Sequence, residues 1–350
     1  MNKKLEETLK NLNKKYGEGT VRHLGEQNAT SIKRISTGIL SLDYILGGGY
    51  PVGRIIEIFG KEASGKTAIA TYGLIEIQKA GYEIGIVDLE QTFNPIYAKN
   101  NGLDIGNLIF SQPETGEQAM DIVEALALSG VKGILYDSVA STMSKFEGEK
   151  DMGDPTIGMQ ARLMSQCLRR INPTINKNDC ILFFVNQLRE KIGTYSANPE
   201  TTPGGRALKF YATIRMNVRP VAFIGPNGQE IKTKEEAVGH KIKVRVEKNK
   251  TFIPYKTCEF DFYYGVGVDQ ISDIINTAVA CGLISRAGSW FSYIDIEGTE
   301  LRVQGLQKMK ETVQEKQLIK EIKERVLEIV TNNNCTDNRG TGEDIKKTKS

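Results

Sequence analysis

The chain has 350 residues, 39% of them hydrophobic and 25% charged, which is typical of a globular protein of about two domains. Its formal net charge is only +3, so any surface that binds nucleic acid must come from local clustering of basic side chains. The first ten residues are highly charged and no apolar run reaches about 18 residues, so we expect neither a signal peptide nor a membrane span.

The cysteines predict an intracellular redox environment. The five of them are widely spaced and include no CxxC pair. This pattern favours reduced thiols in a cytoplasmic protein over a disulfide framework or a zinc site. The two histidines, His23 and His240, are too few and too far apart to indicate histidine-based catalysis or metal binding.

Near the N-terminus, Leu5, Leu9, Leu12 and Tyr16 recur at helical spacing and Gly17 follows them. The spacing predicts an amphipathic helix. Its apolar stripe is consistent with packing on its own domain and with docking on a neighbouring subunit, and the pattern alone does not separate the two.

From Ser36 onward, predicted strands and helices alternate. A helix is expected over 67–80, and strands over 54–60, 83–90, 133–138 and 181–187. This alternation favours an α/β fold with a mostly parallel central sheet covered on both faces. Strands predicted at 212–223, 241–250 and 258–268 lack helical spacers, so we expect them to extend the edge of the sheet in antiparallel fashion.

The sequence changes character after Asp269. Helices are predicted over 271–284 and 309–330, with a short strand at 287–293 between them, and we assign these elements to a small second domain. The last twenty residues, 331–350, are polar and are expected to be disordered.

The segment GKEASGKT, Gly60 to Thr67, fits the phosphate-loop pattern G-x-x-x-x-G-K-[ST] between a predicted strand and a predicted helix. Its glycines allow backbone N–H groups to surround phosphate oxygens at a helix N-terminus. Lys66 is expected to reach the β- and γ-phosphates, and Thr67 to bind Mg²⁺. The motif therefore predicts an ATP site.

Three polar residues follow other predicted strands and are expected at the same sheet edge. Asp137 ends GILYD and is assigned to the metal shell, through water, although a strand-terminal Asp is often only a turn residue. Glu90 is placed to orient or deprotonate the attacking water, with a surface acid as the alternative. Gln187 is placed to contact the γ-phosphate and to pull on the loop that follows it.

That loop, about 188–206, has little to bury. Loops of its length are uncommon in compact domains unless they are functional or disordered. The residues alone do not decide between a flexible surface loop and a binding loop.

Several stretches together resemble the bacterial RecA recombinase family over roughly residues 1–330. The loop segment is more specific than the phosphate loop, which would fit many ATPases. The matching stretches are STGILSLDYILGGGYPVGRIIEIFGKEASGKT, NPIYA (94–98), SQPETGEQA (111–119), DSVA (137–140), MSQ (164–166), NPETTPGGRALKFY (198–211), EKNK (247–250) and FYYGVG (262–267).

The resemblance implies a helical filament of subunits on single-stranded DNA, with ATP between neighbouring subunits and strand exchange with duplex DNA as the activity. It implies an oligomerisation arm over 1–33, an ATPase core over 34–268, a small α/β C-terminal domain over 269–330 and a tail over 331–350. The N-terminal helix would then pack on the neighbouring core. Self-cleavage of a LexA-type repressor would be a further activity.

By position, the resemblance makes Glu90 the catalytic carboxylate and Gln187 the γ-phosphate sensor, and it makes Lys248 and Lys250 cations that reach ATP in the neighbouring subunit. Without it, a solvated basic strand is the better interpretation of these lysines. The implied ATP-binding residues are Gly60, Lys61, Glu62, Ala63, Ser64, Gly65, Lys66, Thr67, Ala68, Asn94, Tyr97, Asp137 and Tyr264.

Two DNA-binding loops are also implied, at about 148–162 and 188–206. Ile157 and Ile192 would wedge between bases, Tyr195 would stack on a base, and the two glycines would let backbone N–H groups approach phosphates. The implied DNA-binding residues are Ile157, Arg162, Ser165, Arg169, Ile192, Tyr195, Gly204, Gly205, Arg206 and Lys209.

The sequence departs from the family pattern at Asn94, where Asp is common, and at Gln91, where His is usual. An amide offers donors as well as an acceptor, so base selectivity is open. The tail is not acidic, so a tail-imposed restraint on duplex binding is expected to be weak. Two alternative functions remain: a related ring-type helicase motor, and a regulatory filament that acts mainly in repressor self-cleavage.

Overall fold

The computed structural model describes residues 2–18, 20–21, 32–148, 158–190 and 200–336. The chain divides into two compact units, residues 1–33 and 34–350. Within the described residues no helix combines the length and the apolar character needed to cross a membrane.

The first unit contains helix α1, Lys3–Tyr16, at the predicted position. The side chain of Asn2 caps its first turn by accepting from the Lys4 N–H, and the helix ends at Gly17. Asn13 accepts from the N–H of Val21 at 2.9 Å, which holds the segment after the helix against its last turns.

The second unit alternates strands and helices through its first half, as the sequence predicts. Its helices are α2 Leu40–Leu46, α3 Lys66–Lys79, α4 Pro95–Asn100, α5 Gly116–Leu128, α6 Lys145–Gly148, α7 Met159–Lys177, α8 Ala207–Tyr211, α9 Gln270–Ala280, α10 Leu306–Glu315 and α11 Ile319–Thr336. Its strands are β1 Arg34–Ile35, β2 Tyr50–Pro51, β3 Ile55–Gly60, β4 Ile84–Asp88, β5 Leu108–Ser111, β6 Gly133–Asp137, β7 Ile181–Gln187, β8 Arg189–Glu190, β9 Glu200–Thr201, β10 Ile214–Ile224, β11 Glu230–Ile231, β12 Gly239–Asn249, β13 Thr257–Tyr263, β14 Gly267–Val268, β15 Ser285–Ala287, β16 Trp290–Ile294 and β17 Glu300–Gln304.

The central sheet has the order β14-β13-β12-β10-β3-β7-β6-β4-β5, with β11 paired to β10. The strands from β10 to β5 are parallel, and β12, β13 and β14 add to them in antiparallel fashion. The mostly parallel α/β core is therefore confirmed.

The expectation that the strand near 212–223 is an antiparallel edge strand is wrong. β10 pairs with β3 in parallel, with Val218 opposite Gly60, and its antiparallel partners are β12 and β11. The unrecognised helix α8 lies in the connection from β7 to β10, and a parallel neighbour needs a crossover of this kind.

Both faces of the parallel sheet are buried. Ile56 and Ile58 of β3 join one apolar cluster with residues of α2 and α3. Ile55 of the same strand joins a second cluster with residues of α5 and α7. Successive strand residues point to opposite faces, so this near-continuous apolar run is what a sheet with two covered faces requires.

Gly73 weakens α3 in propensity, and the packing explains its presence there. A Cβ at this position would lie 2.8 Å from Cε2 of Tyr50 and 3.0 Å from Cζ of Phe183. The helix therefore approaches the sheet closely enough for two aromatic rings to pack against its backbone.

The C-terminal elements form a third apolar cluster. It includes Ile274 and Ile275 of α9, Phe291 and Tyr293 of β16, and residues of α10 and α11. The antiparallel sheet β15-β16-β17 covers one side of it. Helix α11 continues to Thr336, past the boundary at 330, so the first residues of the tail that we expected to be disordered are helical.

Candidate active site

The phosphate loop joins β3 to α3. Gly65 has φ 89° and precedes the first helical residue, Lys66. A Cβ on Gly60 would lie 2.2 Å from the carbonyl oxygen of Val218. These two positions exclude side chains for steric reasons, and the loop can therefore present backbone N–H groups at the N-terminus of α3.

Lys66 is buried and directed into this loop. Its Nζ donates to the carbonyl oxygen of Lys61 at 2.6 Å, and the Ser64 hydroxyl donates to the same oxygen at 2.8 Å. Burial lowers the pKa of Lys66, while Asp137 and Glu90 oppose the shift. Lys61, Glu62 and Ala63, the other predicted loop residues, are exposed.

Asp137 ends β6 beside the start of α3. The Thr67 hydroxyl donates to its Oδ2 at 2.7 Å. Burial raises the pKa of Asp137 to about 6, with smaller contributions from Glu90 and Asp88, and the Thr67 hydrogen bond opposes the shift. A cation at this position would lower that pKa, with the Thr67 hydroxyl as a ligand and Asp137 holding it through water.

Glu90 lies where three strand ends meet. Its Oε1 accepts from the Ser138 hydroxyl and from Nε2 of Gln187 at 3.0 Å. Its backbone N–H donates to the Asp137 carbonyl oxygen at 3.3 Å. The structure thus brings the predicted carboxylate and the predicted sensor into contact beside the metal-binding candidate.

A cavity of about 210 Å³ opens beside α3 and α4, and Thr67, Ala68, Asn94, Tyr97 and Asp137 are among the residues that line it. Asn94 caps α4, since its Oδ1 accepts from the Tyr97 N–H at 3.0 Å. Burial raises the pKa of Tyr97 to about 12. These predicted nucleotide residues are therefore neighbours of the phosphate loop.

Lys248 and Lys250 are not part of this cluster. Lys248 is opposite Arg215, which is opposite Glu57, whereas the loop begins at Gly60. Lys248 is therefore three residues from Gly60 along the strand direction and two strand spacings from it across the sheet, about 10 Å in each direction. Both lysines lie at the amino end of the parallel sheet, away from the phosphate loop of their own chain.

Both lysines bind the end of α8. Nζ of Lys248 donates to the carbonyl oxygens of Lys209 at 2.6 Å and Phe210 at 3.1 Å, and Nζ of Lys250 donates to that of Phe210 at 3.0 Å. Burial lowers the pKa of Lys248 to about 8, and Lys250 and Arg215 add to the shift.

Tyr264 lies at the far end of the sheet, after β13. Its hydroxyl is 3.3 Å from Nδ1 of His240, and about half of its surface is exposed. Two strands, β12 and β10, lie between β13 and the strand that leads into the phosphate loop of the same chain.

The predicted DNA-binding residues of α7 share one face. Arg162, Ser165 and Arg169 are three and four residues apart, which places them on one side of a helix, and both arginines are exposed. Ile157, Ile192 and Tyr195 lie outside the described residues.

The second predicted DNA-binding loop ends against α7. The Gly204 N–H donates to Oε1 of Gln160 at 3.1 Å, and a Cβ on Gly205 would lie 2.7 Å from Cβ of Ala161. The close approach of the loop to α7 requires Gly205, and a Cβ on Gly204 would lie 2.8 Å from Cγ1 of Val139. Arg206 follows as an exposed cation, and Lys209 donates to the Thr201 hydroxyl at 3.3 Å.

Sequence reasoning missed a buried polar group that joins β3, β7 and β10. Glu57 accepts from Nδ2 of Asn186 at 3.0 Å and from Nε of Arg215 at 2.5 Å. Asn186 also donates to the Pro203 carbonyl oxygen at 3.1 Å and its Oδ1 accepts from the Gln187 N–H. Asn186 therefore connects the sensor strand to the end of the second loop.

A basic groove of about 570 Å³ was also missed. Arg215, Arg219, Lys243 and Arg245 line it on neighbouring strands. The alternation KIKVRV in β12 was the available signal, since it places every second residue on one face.

Comparison with known proteins gives a consistent result. The family model described as RecA N-terminal domain matches residues 3–269, and that described as RecA C-terminal domain matches residues 272–331. The chain is 47% identical over 329 residues to Protein RecA of Thermus aquaticus, covering 93% of this chain and 94% of the relative. It is 44% identical over 352 residues to Protein RecA of Clostridium novyi, covering 99% and 97%.

Proposed function

The chain belongs to the RecA family and is an ATP-hydrolysing recombinase of DNA recombination and repair, and we propose that it acts as a helical filament on single-stranded DNA. ATP would bind between neighbouring subunits, and the filament would pair its strand with homologous duplex DNA. We place this activity in the cytoplasm, which is consistent with the free thiols of Cys167, Cys180, Cys258 and Cys281.

Hydrolysis would proceed on the cluster at the strand ends. The phosphate loop and Lys66 would hold the triphosphate, and Glu90 would accept a proton from the water that attacks the γ-phosphorus. The bond to the bridging oxygen then breaks and ADP leaves with the electron pair. The contact of Glu90 with Gln187, at 3.0 Å, supports a shared role at the reacting phosphate.

Thr67 and Asp137 fit a Mg²⁺ ion, since both offer oxygen at the end of the phosphate loop. The ion would neutralise charge on the phosphates. No group of three or more His, Cys, Asp or Glu side chains suited to a metal occurs in the described ranges, so phosphate and water oxygens would complete its shell.

The position of Lys248 and Lys250 is the observation that carries the filament proposal. They cannot reach ATP bound to the phosphate loop of their own chain, because they lie about 10 Å from that loop along the strand direction and about 10 Å across the sheet. A head-to-tail assembly would place the amino end of one sheet against the phosphate loop of the next subunit. The pair would then supply the positive charge that an arginine finger supplies elsewhere.

DNA would bind along the exposed face of α7 and the second loop. Arg162, Arg169 and Arg206 would contact phosphates. Gln187 and Asn186 form the route by which ATP would order this loop, because Asn186 holds the Pro203 carbonyl oxygen. By linkage, DNA must then favour the ATP-bound filament to the same extent. The groove around Arg219 and Lys243 would take the duplex partner.

Two related functions would use the same core. A ring-type helicase motor would close its subunits into a ring. A regulatory filament would promote self-cleavage of a LexA-type repressor and use hydrolysis only as a timer. Electron microscopy with an ATP analogue and single-stranded DNA separates the first from a filament, because it shows either a ring or a helix.

The test of the proposal is ATP hydrolysis with and without single-stranded DNA. The variant Lys248→Ala with Lys250→Ala should lose DNA-stimulated hydrolysis. Lys241→Ala, on the same strand but paired with Glu230, should retain it. DNA-independent hydrolysis that the double variant leaves unchanged would contradict the proposal.

A further inference from the structure

Three donors converge on one oxygen of Glu90. The Ser138 hydroxyl, Nε2 of Gln187 at 3.0 Å and the Ser141 hydroxyl at 3.4 Å all point to Oε1. No donor in the described part of the chain reaches Oε2. One oxygen of the carboxylate is therefore held, and the other remains to accept a proton.

The donors differ in how firmly they are placed. Ser138 is fully buried and has a single rotatable bond to its hydroxyl carbon. Its carbonyl oxygen accepts from the Ser141 N–H at 3.2 Å, and the preceding residue, Asp137, accepts the N–H groups of Leu89 at 2.6 Å and Glu90 at 3.3 Å. The 137–138 segment thus holds both the backbone and the side chain of Glu90.

Gln187 is the less permanent donor. Its side chain is long and only partly buried, at the end of β7. If Gln187 turns to the γ-phosphate, as the proposed function requires, its hydrogen bond to Glu90 is lost. Among the residues that the structure describes, the other hydrogen-bond partner of the Ser138 hydroxyl is the Ser141 hydroxyl, at 3.5 Å.

We propose that Ser138 is a positioning residue for ATP hydrolysis. Its hydroxyl keeps Oε1 of Glu90 fixed after Gln187 has moved to the phosphate, so that Oε2 stays directed at the attacking water. This inference rests on the proposed role of Glu90 as general base. It predicts that Ser138 affects the rate of the chemical step and leaves nucleotide binding unchanged.

The experiment measures DNA-stimulated ATP hydrolysis by full-length Ser138→Ala, with Ser141→Ala as the matched control. Ser141 donates to the same oxygen at 3.4 Å but is exposed. Ser138→Ala should lower kcat about tenfold or more with little change in KM, because misplaced catalytic groups lose rate steeply. Ser141→Ala removes only the longer hydrogen bond of an exposed side chain, so it should lower kcat much less than Ser138→Ala does.

A second measurement tests whether Ser138 acts through Glu90. Glu90→Gln should lower kcat by about a hundredfold or more. Adding Ser138→Ala to Glu90→Gln should then cost less than about twofold, since residues that act as a unit are not additive. Binding of a non-hydrolysable ATP analogue and of DNA reports whether each variant is folded. If Ser138→Ala loses both, Ser138→Cys, a weak donor of similar size, replaces it.

The outcomes separate the two ideas. The proposed function would be overturned if the wild-type rate of ATP hydrolysis were the same with and without DNA. It would also be overturned if Glu90→Gln kept the wild-type kcat. If DNA stimulates wild-type hydrolysis and Glu90→Gln lowers kcat, the proposed function stands. A Ser138→Ala kcat within about twofold of wild type would then refute the role of Ser138 alone. Equal losses from Ser138→Ala in the presence and absence of Glu90 would also refute it.

Discussion

Glu57 is a carboxylate with two obligatory partners, and replacing it with glutamine should destabilise the fold. One oxygen accepts from Asn186 and the other from Arg215. Because both partners donate, the amide of Glu57→Gln must bring its own N–H₂ group against one of them. The substitution keeps the volume and removes both a charge and an acceptor.

The magnitude follows from the burial of the pair. The Glu57 side chain is fully buried and that of Arg215 is 15% exposed. Removing one member of a buried ion pair typically costs about 3–5 kcal/mol, because the other charge remains without compensation. Arg215 keeps some contact with water and lies 4.6 Å from the ring of Phe59, so we expect the lower limit, about 3 kcal/mol.

The assay is urea unfolding without nucleotide or DNA, with the change in midpoint read at a constant m value. Glu200→Gln is the matched control. Glu200 pairs with Arg219, which lies on β10 as Arg215 does, and the side chains of Glu200 and Arg219 are 23% and 46% exposed. That pair should contribute less than about 1 kcal/mol. Equal losses for the two variants, or a loss below about 1 kcal/mol for Glu57→Gln, would show that the buried Arg215 does not depend on the Glu57 charge.

Three further predictions concern the buried acids, the phosphate loop and the DNA face. Burial raises the pKa values of Asp43 and Asp273 to about 6. The folded state therefore binds these protons more tightly than the unfolded state, and the contribution to stability is lost as pH rises from about 4, the usual carboxyl pKa, through 6. Asp273→Asn should flatten the dependence of Tm on pH between about 4 and 6, and an unchanged slope there would contradict this. Gly65→Ala should weaken binding of an ATP analogue about tenfold or more, since its Cβ would lie 2.7 Å from Cδ1 of Ile242. Gly81→Ala is the control, because Gly81 has a similar φ of 85° but open space around it, and it should leave binding unchanged. Arg162→Gln with Arg169→Gln should weaken DNA binding and reduce the slope of log affinity against log salt concentration by about two. Arg170→Gln should leave DNA binding unchanged, because Arg170 lies on the same helix but is paired with Asp121 and Glu124.

The sequence predicted the parts of this molecule that depend on local pattern. The phosphate loop follows from the spacing of its glycines and Lys66, and the buried strands β3, β4, β6 and β7 follow from continuous apolar runs. The place of Asp137 at the carboxyl edge of the sheet followed from strand topology, because parallel strands end at one edge of a sheet. The hydrogen bond between Glu90 and Gln187 is a finding of the structure.

Other features depend on contacts between residues that are distant in sequence. Glu57 resembles any strand residue until β7 and β10 bring Asn186 and Arg215 to it. Ser138 was part of a recognised motif, but its hydrogen bond to Glu90 spans 48 residues. The parallel pairing of β10 depended on α8, which is too short to show a helical period.

Mixing two inactive variants tests whether lysines of a neighbouring subunit complete each ATP site. Glu90→Gln subunits retain the lysines, and subunits carrying Lys248→Ala and Lys250→Ala retain the carboxylate. In an equal mixture on single-stranded DNA, about a quarter of the head-to-tail interfaces would combine both intact parts. We expect hydrolysis in the mixture well above the sum of the two variants alone. Hydrolysis no greater than that sum, from mixtures that still assemble on DNA, would contradict it.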